Sequence, residues 1–236
     1  DVKFGDGAFM KNIEDATKLA KMMVEIGNYF GRDTRAEITS MEEPLGLAVG
    51  NNLEVKEVVD TLLGHGPEDL TNICLHSGST MLLQAKLANS FEEAHRMLKE
   101  KLDDGTAYKV FLEFVKAQNG DISYIEDTSK FPLALYREKV YAPRSGYISK
   151  CNALTIGLAA MKLGGGRERK EDTIDMSSGI VLKHKVGEFV NKGDELATLY
   201  TERPKYEPIV KEILGAFEIV DEKVEKPRLI LDTIEA

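Results

Sequence analysis

The sequence predicts an α/β lobe, a sheet with surrounding helices that is incomplete at its start, followed by a smaller α+β domain. Three observations carry this. Residues 1–39 read as strand, helix, strand, the order of a parallel α/β unit. Helical periodicity then dominates residues 54–118. Near Pro132 the character changes to short β-rich segments and glycine turns, which sets a boundary at about 130. The expected domains are therefore 1–130, the later part of the α/β lobe, and 131–236.

The elements follow in order. Residues 1–4 form the end of a strand, and Gly5, Asp6 and Gly7 make a turn. Asn12 can cap the next helix, with Asp15 three positions on. Ile13, Ala16, Leu19, Ala20, Met23 and Phe30 recur at helical spacing, and Gly31 ends the run. Ala36 and Ile38 alternate with Arg35 and Glu37 in a strand over 34–39. Helices are expected over 54–63, 68–87 and 107–118. Another begins after Ser90, with Glu93 completing a capping box. In the second domain, 180–182 and 196–200 look like strands. Residues 154–163 and 206–220 look helical, and a last strand covers 228–231.

Composition narrows the function. The 236 residues are 42% hydrophobic and 30% charged, as in a folded globular protein. A net charge of -9 argues against a nucleic-acid partner. No apolar run reaches membrane-span length and no signal peptide is present, so the expected location is the cytoplasm with no membrane partner. Cys74 and Cys151 lie far apart, and His65, His76, His95 and His184 show no metal-ligand spacing, which argues against a zinc enzyme. The chain opens without methionine in what reads as a strand already in progress, as expected either of a protein that was cut or of the later part of a longer one.

Four motifs offer chemistry. In Gly5-Asp6-Gly7-Ala8-Phe9-Met10 a strand ends in a glycine loop before a helix, which can present backbone to a ligand or simply pack a core. The stretch 44–57, PLGLAVGNNLEVKE, is a glycine-punctuated segment opening into a helix that carries a carboxylate. It is either a loop capped by Asn52 with Glu57 on a solvated face, or a site where carbonyls and Glu57 hold a hard cation such as potassium or calcium. Gly164-Gly165-Gly166-Arg167 could cradle phosphate, but it follows a helical run, as a terminating loop does. The segments 142–148 and 186–196 resemble the strand turns of biotinyl and lipoyl carrier domains, with Met161-Lys162 mimicking the modified lysine. Lys162 lies in a helical run rather than on a tight turn, so a small β fold of barrel-sandwich type without a swinging cofactor is expected.

The stretches 1–10, 41–57, 64–70, 164–175 and 186–196, in that order, resemble the later half of the pyrimidine-nucleoside phosphorylases, the bacterial relatives of thymidine phosphorylase. The resemblance spans the chain. It implies a pentosyltransferase, a glycosyltransferase of nucleoside salvage. Phosphate attacks the anomeric carbon of uridine, thymidine or deoxyuridine, giving free base and pentose 1-phosphate. It implies no organic cofactor and a homodimer whose two lobes close over phosphate and nucleoside. By the family pattern Leu45 and Ala48 would bind potassium through backbone oxygens and Glu57 through its side chain, and Phe9 would line the nucleoside pocket. No catalytic residue is assigned in this chain: the family's phosphate loop and its base-gripping arginine, serine and lysine fall upstream of Asp1. The chain alone is thus expected to be inactive and to need the N-terminal half as partner. A strict thymidine phosphorylase, a phosphoribosyltransferase sharing the lobe plan, and a non-enzymatic carrier module remain as alternatives.

Overall fold

A computed structural model describes residues 1–235. The chain forms two compact units. One joins residues 1–53 to 133–236, and the other comprises 54–132. This grouping runs differently from a linear division at 130. In chain order the elements are β1 (Val2–Phe4), α1 (Ile13–Tyr29), β2 (Ala36–Ser40), β3 (Ala48–Val49) and α2 (Asn51–Leu62), within which the two units divide. Then come α3 (Glu68–Gln84), α4 (Phe91–Asp103), α5 (Thr106–Ala117) and α6 (Ser123–Glu126). The remainder is β4 (Tyr136–Tyr141), β5 (Gly146–Cys151), α7 (Ala153–Ala160), β6 (Gly179–Leu182), β7 (Phe189–Val190), β8 (Glu195–Thr201), α8 (Glu207–Gly215), β9 (Phe217–Val220) and β10 (Ile230–Ile234).

In the first unit, α1 starts where the Asn12 side chain accepts the Asp15 amide at 2.8 Å, satisfying one orphan donor of the first turn. Its buried face is Ala16, Ala20 and Val24, small enough to bring the helix close to Val2, Phe4, Ala36 and Ile38. β1 and β2 pair in parallel, Val2 opposite Ile38 and Phe4 opposite Ser40. β10 lies antiparallel on the other edge of β2, so the end of the chain returns to its first sheet. The remaining strands form two antiparallel sheets, ordered β3-β6-β8-β4 and β7-β5-β9. Ile156 and Leu163 pack with Ile180, Leu182, Leu199 and Ile213 in their main core.

The segment 206–220 departs from the single helix expected. α8 stops at Gly215, and Phe217–Val220 becomes β9, paired with β5. Phe217, Glu218 and Ile219 alternate in polarity, a period of two that merges with the helical apolar spacing before it. The last strand runs Ile230–Ile234, beyond the expected 228–231.

The second unit is helical. Ser90 caps α4 by accepting the Glu93 amide at 3.2 Å, while the Glu93 carboxylate accepts the Asn89 amide at 2.8 Å rather than that of Ser90. Gly78 of α3 lets α4 approach: a Cβ there would lie 2.7 Å from a Leu98 methyl. The Phe91 ring sits 4.8 Å from the His76 ring and 6.4 Å from that of His95, so two of the histidines serve ring packing.

Candidate functional site

Two loops leave the carboxyl ends of the adjacent parallel strands β1 and β2. In open α/β sheets this is the edge where ligands bind. The loops are joined at Met41, whose amide donates to Phe4 O at 2.7 Å and whose carbonyl accepts the Gly7 amide at 3.1 Å.

The first loop, 5–11, is tied at every turn. The Gly5 amide donates to Met10 O and the Ala8 amide to Gly5 O, each at 3.0 Å. Gly5 holds φ +115, where a side chain would be strained. The Lys11 ammonium folds back onto the carbonyls of Asp6 at 3.0 Å and Ala8 at 2.7 Å. The Asp6 carboxylate accepts from the Asn152 side-chain amide and pairs with Lys150 at 3.1 Å, which raises the Lys150 pKa through the hydrogen bond and charge of Asp6. Asn152 meanwhile caps α7 by accepting the Thr155 amide at 2.8 Å. On this bound loop Phe9 is 99% exposed. A largely apolar cavity of about 540 Å³ borders it and runs along β1 and α1 toward the start of β2, lined by Val2, Met10, Met23, Arg35, Ala36 and Met41 among others.

The second loop, 41–50, is gripped from the far end of the sequence. The Lys185 ammonium donates to the carbonyls of Pro44 and Gly46, the latter at 3.3 Å, and stands 3.7 Å from the Glu43 carboxylate, both side chains mostly buried. Glu43 also accepts the Val186 amide at 3.0 Å. The Leu47 carbonyl accepts the Leu182 amide at 2.8 Å, and Val49 lies opposite Ile180. In an antiparallel ladder alternate residues turn their backbone groups to opposite edges, so Leu47 and Val49 face β6 while Ala48 directs its carbonyl away from it. Gly50, at φ +143, lies under the 175–178 turn, where a Cβ would come within 2.5 Å of Ser178 O. Burial pushes the nearby Cys151 thiol up to about 12, with the Glu43 charge adding to it.

Expected residues fall as follows. Phe9 projects from the first loop, and Leu45 and Ala48 belong to the second. Glu57 lies on α2, past the division between the units, and is half-buried. Asn52 does not cap α2: the helix begins at Asn51, and the Asn52 amide donates to Met176 O at 3.0 Å. The glycine run terminates a helix. α7 continues into a wide turn, Met161–Gly165, with Gly164 at φ +117. Its carbonyls are used inside the fold, Gly164 O by the Asp175 amide and Gly165 O by the Asn51 side chain, each at 2.9 Å. Lys162 pairs with Glu212 at 2.8 Å beside this turn and is not at a hairpin tip. Sequence reasoning overlooked Lys11 and Lys185. A lysine directly following a glycine loop is a signal for the first, whereas nothing local marks the second.

No group of three or more His, Cys, Asp or Glu side chains poised to hold a metal occurs among the described residues. Peptide oxygens with one carboxylate remain a suitable set for a hard cation. The carbonyls of Pro44 and Gly46 are taken by the Lys185 ammonium, and Leu45 and Ala48 are other residues of the same loop. No helix among the described residues is long and apolar enough to cross a membrane.

Known proteins match along the whole chain. The family described as glycosyl transferase family, a/b domain, matches residues 1–108, and the pyrimidine nucleoside phosphorylase C-terminal domain matches 147–220. A pyrimidine-nucleoside phosphorylase of Geobacillus stearothermophilus is 47% identical over 99% of this chain and 54% of its own length. That of Bacillus subtilis is 48% identical over 98% of this chain and 53% of its own length. A thymidine phosphorylase of Metamycoplasma hominis is 45% identical over 94% of this chain and 82% of its own. The chain thus spans about half the length of most of these relatives. With the two family domains matching in order and close relatives aligned over nearly every residue, the chain belongs to the pyrimidine-nucleoside phosphorylase family, which includes thymidine phosphorylase.

Proposed function

We propose that this chain takes part in the reversible phosphorolysis of pyrimidine nucleosides, as the part of the enzyme that follows an N-terminal half, in a cytoplasmic homodimer. A phosphate oxygen bonds to the anomeric carbon, the bond from that carbon to the base nitrogen breaks, and the electron pair leaves with the base, which then takes a proton. Positioning of phosphate in line with the leaving base supplies much of the acceleration. The observation that carries this reading is the pair of loops at the carboxyl ends of β1 and β2, one of which holds an exposed Phe9 on a fixed backbone. Phe9 offers an apolar face against the nucleoside and helps exclude water from the bond being broken.

Leu45 and Ala48 backbone oxygens and the Glu57 carboxylate would hold potassium. When bound, the ion would supply a fixed positive charge. The orientation of Ala48 in its ladder supports this donor set. Uridine, thymidine and deoxyuridine are the proposed substrates. A strict thymidine phosphorylase is the second reading, favoured by the Metamycoplasma relative's name.

The test is a chimera in which this chain replaces the matching segment of the Geobacillus relative. With inorganic phosphate and uridine it should release uracil and a pentose 1-phosphate, and cleave thymidine as well. A folded chimera releasing no base in the presence of phosphate would falsify the proposal; one that cleaves thymidine but not uridine moves it to the second reading.

A further inference from the structure

We infer that Lys11 is a positioning residue for Phe9, and that the Asp6 clamp to Asn152 and Lys150 holds the same loop, so that the antiparallel β region sets the aromatic wall of the nucleoside pocket. This rests on the reading of Phe9 given above.

Within this chain Phe9 is fully exposed, so none of the described residues packs against its ring to fix it. On a free loop it would turn inward or sample many positions, and a ligand would have to supply the ordering. Here the backbone on both sides of Phe9 is fixed. The Lys11 ammonium takes Asp6 O and Ala8 O together, bending the chain so that Ala8 is buried and Phe9 points outward. A charged donor makes these stronger than neutral hydrogen bonds. The other side of the loop is held from a distance. Asp6 is bound through its carboxylate to Asn152 and Lys150, which flank the end of β5 and the start of α7. Gly7 fits between Met41 and Ala153, where a Cβ would lie 3.0 Å and 3.1 Å from their side-chain carbons. The loop is therefore seated on residues 150–153, and Asn152, as the cap of α7, cannot move without unsatisfying that helix. Neither Lys11 nor Asp6 need touch the substrate. Their effect runs through the backbone that carries Phe9.

Two measurements test this. In the 236-residue chain, Lys11→Met should speed amide hydrogen exchange at Gly5 and Ala8 about tenfold while leaving the interior of α1 unchanged, and Lys11→Arg should restore most of the protection. Unchanged exchange at both amides overturns the inference. In the chimera, Phe9→Ala should raise KM for uridine about fivefold or more. Lys11→Met and Asp6→Asn should each raise it about threefold with kcat nearly constant. If Phe9→Ala raises KM but Lys11→Met and Asp6→Asn do not, the positioning role falls and the pocket reading stands. If Phe9→Ala has no effect, Phe9 does not line the pocket and both fall.

Discussion

The two loops at the carboxyl edge of the first sheet use the same device in different ways. In each, one lysine ammonium gathers the carbonyls of residues two apart: Asp6 and Ala8 by Lys11, Pro44 and Gly46 by Lys185. Gathering alternate carbonyls curls a short backbone stretch round a cation. Lys11 comes from the loop's own end and works partly in water. Lys185 comes from 139 residues beyond Gly46 and is mostly buried beside Glu43. The first loop is thus closed partly by its own lysine, with Asp6 and Gly7 seated on residues 150–153 besides. The second is closed by a lysine that follows β6, the strand that β3 joins.

Substitutions should expose that contrast. The largest effect is expected at Gly50, where a Cβ meets backbone, Ser178 O at 2.5 Å and Gly179 Cα at 2.8 Å, at φ +143. Gly50→Ala should destabilise the chain by about 4 kcal/mol, combining strain with overpacking. Gly5→Ala, at φ +115 with its nearest contacts at 3.0 Å, should cost about 2 kcal/mol. Urea midpoints for the two variants measure the difference, and equal losses would remove the claim that the second loop is the more tightly enclosed.

The lysines come next. Lys185→Met leaves the Glu43 carboxylate mostly buried without its cation, and should cost about 3 kcal/mol. Lys11→Met only returns two carbonyls to water at the loop edge and should cost about 1 kcal/mol. If the two variants unfold at the same urea concentration, the buried pair is not what distinguishes the loops.

The smallest effect lies in the turn that backs Gly50. Burial alone would raise the Asp175 carboxyl, but donation from Ser178 and Ser177 holds it below the usual range. A depressed carboxyl stabilises the fold above its unfolded pKa, about 3.9, and that stability is lost as pH falls through the folded value. Asp175→Asn should flatten the loss of stability on acidification below about pH 4, with little change in the exchange of the Gly5 and Ala8 amides. Melting curves from pH 6 down to pH 3 that overlay for the two proteins would contradict this.

What the sequence determined by itself was whatever rests on neighbours a few positions apart. Asn12 and Asp15 make a cap across three residues, as do Ser90 and Glu93, and the apolar spacing of α1 marks its buried face. The family resemblance was also legible, because it lies in ordered short motifs such as 1–10 and 44–57. Tertiary structure alone decided the rest. Phe217–Val220 became a strand because β5 offered it partners some 70 positions away, although its apolar residues continue the spacing of α8. Residues 1–53 grouped with 133–236 because β10 returns to β2 and β3 joins β6. A helix closes its hydrogen bonds within four residues, so its signal is local. A strand edge or a loop carbonyl takes whatever donor the folded chain brings to it, and for Pro44 and Gly46 that donor is Lys185, which no local pattern could have named.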